Sequence, residues 1–152
     1  MAASRSKKGK KRGKRIAPGE PPAGSGRIKP DDPAALRKIL FSFKYLHLTP
    51  PVSQEFPGDY LPELMKCLRA FSGRERGEVV GNRNPSMRAH GIDWAKSNFP
   101  AGFSHLPAHL RDVAGFQLTV RRDKYGRVIG FLSGAVFYVC WLDPQHETCP
   151  SG

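Results

Sequence analysis

Asp143 and His146 stand on either side of Pro144, three residues apart. A carboxylate at that spacing can tune an imidazole, which is what general acid–base chemistry requires. The same pair can also cap a turn at the end of a sheet. His105 and His109 are spaced i and i+4, which places two metal ligands on one helical face. Pro107 lies between them, no Glu follows His105 as a zinc hydrolase needs, and no third ligand is evident. They read instead as surface histidines of a short helix. Arg83, Arg88, His90, Arg121 and Arg122 make a phosphate-binding surface if residues 74–98 fold over a sheet, and a solvated basic face otherwise. Gly81-Asn82-Arg83-Asn84 is not a phosphate loop, and no nucleophile elbow occurs. No catalytic residue, cofactor or metal ligand is assigned on this basis.

These side chains need elements to hold them. Asp32 can cap a short helix that has Pro33 at its first position. Residues 40–48 alternate, with Phe41, Phe43 and Tyr45 on one side, which predicts a strand stopped by Pro50 and Pro51. Asp59 is placed to cap a helix running to Phe71, and Tyr60, Leu61, Leu64, Leu68 and Phe71 share its apolar face. Gly73 ends it. Residues 74–98 are polar, with room for short helical turns, and Trp94 anchors them to the core. A short helix is expected over 105–111. Strands are predicted over 116–122, 127–132 and 135–142, joined by turns at Gly126 and Gly134. The last is apolar at nearly every position and should be central, with both faces buried. The predicted fold is α+β: N-terminal helices packed on a C-terminal three- to four-stranded antiparallel meander, one domain over 30–152.

The net charge of +12 is unevenly placed. Residues 1–29 hold ten Lys or Arg against Glu20, and their large apolar residues are Ile16 and Ile28. Such a stretch cannot offset its ordering entropy and is expected to be a disordered basic tail. Residues 5–15 then serve either as a non-specific contact to nucleic-acid phosphates or as a solubilising arm. Cys67, Cys140 and Cys149 are odd in number and lack Cys-x-x-Cys spacing, which points to reduced thiols. Cys67 and Cys140 fall within apolar patterns and are expected in the core. No 18-residue apolar run and no secretory leader are seen, so a cytoplasmic protein associated with the nucleoid or replisome is expected.

Gln117-Leu118-Thr119-Val120 matches the start of the extended peptides that dock on bacterial sliding clamps: a Gln amide for the rim, apolar side chains for the pocket. It departs at Arg121, where Phe is often found, and Leu118 and Val120 also suit the core face of a strand. Gln54-Glu55-Phe56, in a loop, is a less matched alternative. The 127–132 and 135–146 strand pair, the run Phe-Ser-Phe-Lys-Tyr-Leu at 41–46 and the ending Trp-Leu-Asp-Pro-Gln-His at 141–146 resemble the SocB-like toxins of bacterial toxin–antitoxin systems. The resemblance covers residues 40–148. It implies a non-enzymatic toxin that binds the DNA polymerase III sliding clamp through Gln117, Leu118 and Val120 and blocks replication elongation. It also implies a SocA-like antitoxin acting as adaptor to the ClpXP protease. A second resemblance, to RelE-like messenger RNA interferases, implies a metal-independent ribonuclease using Arg88, Arg121, Tyr138 and His146. A nucleic-acid-associated accessory protein working through the tail is the third reading.

Overall fold

The computed structural model describes residues 37–81, 89–121 and 125–149. The expected tail, the helix starting at Pro33, and Arg83, Arg88 and Arg122 lie outside the described residues.

The 60/64/68/71 spacing produces helix α1, Tyr60–Ser72, which buries Tyr60, Leu64, Cys67, Leu68 and Phe71. Cys67 completes this face. Leu61, one step (about 100°) round the helix from Tyr60, is exposed instead. Asp59 stands at the N-cap without a side-chain cap bond. Gly73 follows the helix in a right-handed conformation. A short helix, α2, spans Arg76–Gly81. Over 105–111 only a single 3₁₀ turn forms, Ala108–Leu110.

The fold is α+β, but the expected antiparallel meander is only the centre of its sheet. Among the described residues five strands form a mixed sheet: β1 Leu40–Ser42, β2 Ala89–Gly91, β3 Phe116–Arg121, β4 Tyr125–Ser133 and β5 Val136–Asp143. Their order is β1-β5-β4-β3-β2. β3, β4 and β5 are the antiparallel meander. β2 adds an antiparallel edge to β3, and β1 lies parallel to β5. The strand expected over 40–48 stops at Ser42 because a turn closes from the Leu46 N–H to the Phe43 carbonyl at 3.0 Å. That turn splits the aromatic row: Phe41 packs on the α1 side of the sheet and Tyr45 on the other.

β5 is an interior strand, between β1 and β4, but the middle of the sheet is β4 and not β5 as its composition led one to expect. Its ladder to β4 slips where Gly130 pairs with Val139 and Ile129 with Trp141, which leaves Cys140 as an extra residue. The bulge turns Cys140 and Trp141 together toward one core. Phe137 and Val139 meet α1 in the other, with Leu118, Val120 and Val128. The second core is aromatic. Trp94 contacts Phe103 and Trp141 edge-on, with ring centroids 4.9 and 5.7 Å apart. Trp94 thus anchors the segment after β2, and it packs so close to Gly115 that a Cβ there would sit 2.5 Å from its ring. Cys67 and Cys140 are buried, and burial pushes both thiols up to about 12. No helix among the described residues is long and apolar enough to cross a membrane.

Candidate functional site

The polar face of the sheet is set by register. His90 pairs with Gln117 across β2 and β3, and Thr119 pairs with Arg127 across β3 and β4. Arg127 in turn pairs with Asp143 of β5. In strands, directly opposite residues and those two apart share a face. Hence His90, Gln117, Thr119, Arg127 and Asp143 form a polar end to the face that carries Ile129 and Trp141.

The chain beyond β5 folds back over this end. Gly126 makes that possible: a Cβ there would meet the Asp143 carbonyl oxygen at 1.6 Å. Its own N–H donates to the Pro144 carbonyl at 2.9 Å. The fully buried Asp143 carboxylate accepts the N–H groups of Glu147 and Thr148, both at 2.8 Å. The N–H of His146 reaches the Asp143 carbonyl at 3.3 Å. This turn holds His146 at φ 58°, a left-handed conformation that costs a residue with a Cβ on the order of 1 kcal/mol. The ending is tied further by Gln145 Nε2 to the Glu55 carbonyl (3.1 Å) and by Asn98 Nδ2 to the Glu147 carbonyl (2.7 Å). Asp143-Pro144 therefore does make a turn, and the turn aims a histidine.

His146 is half-buried. Burial is the main cause that lowers its pKa below the usual imidazole value; the charges of Arg127 and His90 act in the same sense, and Asp143 opposes them. Arg127 is 7 % exposed, and its Nη1 donates to the Gly126 carbonyl at 3.2 Å. His90 is exposed, and Nε2 of Gln117 contacts its ring. The site thus joins a histidine held toward its neutral form, an accessible second histidine and a fixed guanidinium. Such a set can take a proton, give a proton and offset negative charge on a phosphate.

The other sequence-derived candidates fall elsewhere. Gln117, Leu118 and Val120 are 2 %, 1 % and 9 % exposed in a strand paired on both sides. Leu118 and Val120 belong to the α1 core, while Gln117 faces His90. Gln54 spends its amide on the carbonyls of Val52, Ser53 and Leu142. Arg121 is exposed at the end of β3, and its charge bears on Glu63 of α1. Tyr138 stacks on Phe131, centroids 5.0 Å apart, about 17 Å up β5 from Asp143. Of the residues carried over from the interferases and described here, only His146 lies in the cluster. His105 Nε2 donates to the Tyr45 carbonyl at 3.0 Å; because a carbonyl only accepts, Nε2 carries the proton. Its ring stacks on His47 at 4.5 Å, while His109 is exposed. Among the described residues no group of three His, Cys, Asp or Glu could hold a metal.

Sequence reasoning passed over Arg127. Its signal was available: Arg127, Ile129 and Phe131 alternate along one face of β4, so a charge stands in an apolar row. No protein family, curated protein or solved structure was found to match the chain, so the cluster's geometry carries the functional reading.

Proposed function

We propose that the chain cleaves RNA through His90, Arg127 and His146. One observation carries the reading: His90 and the buried Arg127 lie on one face of the sheet, and the turn after β5 holds His146 where the charges of both act on it. His146, held toward its neutral form, takes the proton of a ribose 2′-hydroxyl. The 2′-oxygen attacks the adjoining phosphorus and the bond to the 5′-oxygen breaks. His90, as imidazolium, gives that oxygen a proton. Arg127 offsets the charge gathered on the phosphate oxygens. The products are a 2′,3′-cyclic phosphate and a free 5′-hydroxyl. DNA lacks the attacking hydroxyl and is left intact. The basic run at residues 5–15 supplies charge for non-specific contact with the RNA backbone. The test is incubation of purified protein with single-stranded RNA in EDTA, beside His90→Ala and His146→Ala variants whose folding is checked by circular dichroism. Intact RNA after prolonged incubation with wild type, free or ribosome-bound, removes the reading.

The clamp-binding toxin, with its adaptor antitoxin and ClpXP, is the second reading. It is favoured by exposed apolar side chains: Leu48, 82 % accessible, and Leu61 and Met65, which stand i and i+4 on α1. In this fold Gln117, Leu118 and Val120 can serve as a docking peptide only if β3 leaves both neighbours. Capture of the sliding clamp by wild type, reduced in a Leu61→Ser, Met65→Ser variant, supports docking through α1. Capture reduced by Gln117→Ala alone supports docking through β3.

A further inference from the structure

Gln117 is the buried amide of the cluster, and its contacts are uneven. Its Nε2 lies 2.9 Å from Nε2 of His90 and 3.2 Å from Nδ1. An atom that close to both ring nitrogens cannot lie in the ring plane without colliding with Cε1. The amide therefore rests on the face of the imidazole. Its other end, Oε1, is buried and has no hydrogen-bond partner. Half of a buried polar group is thus satisfied only through an N–H laid on a ring.

We propose that Gln117 is a positioning residue for His90, an amide with two orientations that follow the charge of the imidazole. The face of a neutral imidazole is electron-rich and accepts the amide N–H. An imidazolium is positive over the whole ring and attracts the carbonyl oxygen instead. The amide oxygen and nitrogen have nearly the same size, so half a turn about the last side-chain bond exchanges them without new space. In the first orientation Oε1 is left in the buried place without a partner; in the second the cation satisfies Oε1 and the NH2 takes that place, so the charge of His90 decides which end is left there. His90 Nδ1 lies 3.1 Å from the Gly91 carbonyl, which fixes the ring while the amide turns. The charge of His90 acts on His146, as do those of Arg127 and Asp143.

The consequence for RNA cleavage rests on the function proposed above; the amide rotation does not. A general acid must be cationic before transfer and neutral after it. An amide that favours either form with one of its ends holds His90 in place through both.

The experiment is nuclear magnetic resonance on the full chain, following the Gln117 side-chain NH2 and the His90 ring between about pH 5 and pH 8. The Gln117 signals move with the same midpoint as His90, keep moving in His146→Gln, and stay still in His90→Ala. Gln117 signals that stay still while His90 titrates, or that move unchanged in His90→Ala, overturn the proposal. The pH–rate profile of RNA cleavage gives a second readout. Gln117→Leu changes the shape of the profile, whereas a merely structural role lowers the rate equally at every pH. Coupled signals with no cleavage by wild type uphold the amide device and remove the ribonuclease reading.

Discussion

Replacing Gln117 with leucine separates what the amide does for the site from what it does for the fold. The side chain is 2 % exposed, and its Oε1 is buried without a partner. Leaving a buried carbonyl oxygen unpaired costs about 1–3 kcal/mol. The contact of Nε2 with the His90 ring returns at most about 0.5–1.5 kcal/mol, the value of an ordinary hydrogen bond. Leucine has nearly the same shape, and Ile129 and Trp141 on the same face offer it apolar neighbours. Gln117→Leu is therefore expected to leave stability unchanged or to raise it by up to about 2 kcal/mol. For a domain of this size each kcal/mol moves Tm by a few degrees, about 4 °C. Urea and thermal unfolding followed by circular dichroism measure the change. RNA cleavage by the same variant falls, since His90 loses its partner in both charge states. A loss of stability greater than about 1 kcal/mol would refute the reasoning, because the amide would then be satisfied in the fold and not held in reserve for His90.

Other outcomes follow from the same geometry. Burial lowers the pKa of His105 and of His146, so the unfolded chain binds protons first as pH falls, and stability is full above about pH 6.5 and declines below it. His105→Gln, which keeps a donor for the Tyr45 carbonyl and removes one charge from the His47 stack, should flatten Tm against pH between about 5 and 7; an unchanged slope contradicts the assignment. Gly126→Ala forces the end of β5 away from β4, costing about 1–3 kcal/mol or more, and lowers cleavage beyond the loss of folded protein. Denaturant midpoints and activity per folded molecule check it. Leu118→Ala costs about 2–5 kcal/mol, and a change below 1 kcal/mol would mean that β3 is not held in the α1 core as described.

What the sequence made legible follows from which forces are local. The α1 spacing and the turn at Gly134 are written in neighbouring residues, and those elements formed; Gly126, expected in a turn, lies inside β4, where its missing Cβ admits the Asp143 carbonyl. Ala89-His90-Gly91 carries no strand propensity; it is extended because β3 supplies its hydrogen bonds. The parallel pairing of Leu40 with Val136 joins positions nearly a hundred residues apart, and short-range pattern does not encode it. The site divides in the same way. Asp143 and His146 were visible as a spaced pair, because one turn joins them. His90 was grouped with arginines, whereas its contact is Gln117, beside it in the sheet, and its charge acts on His146 from across the chain. Gln117 itself matched a docking pattern. Alternation alone could not say that the neighbour across its strand would be an imidazole.

Cleavage of a single-stranded RNA by the purified chain in EDTA tests the central claim most directly. The account predicts fragments ending in 2′,3′-cyclic phosphate, formed by wild type and reduced about 10²–10⁴-fold by His146→Ala with the fold intact. Fragments produced equally by the folded His146→Ala variant, or none from wild type, contradict it.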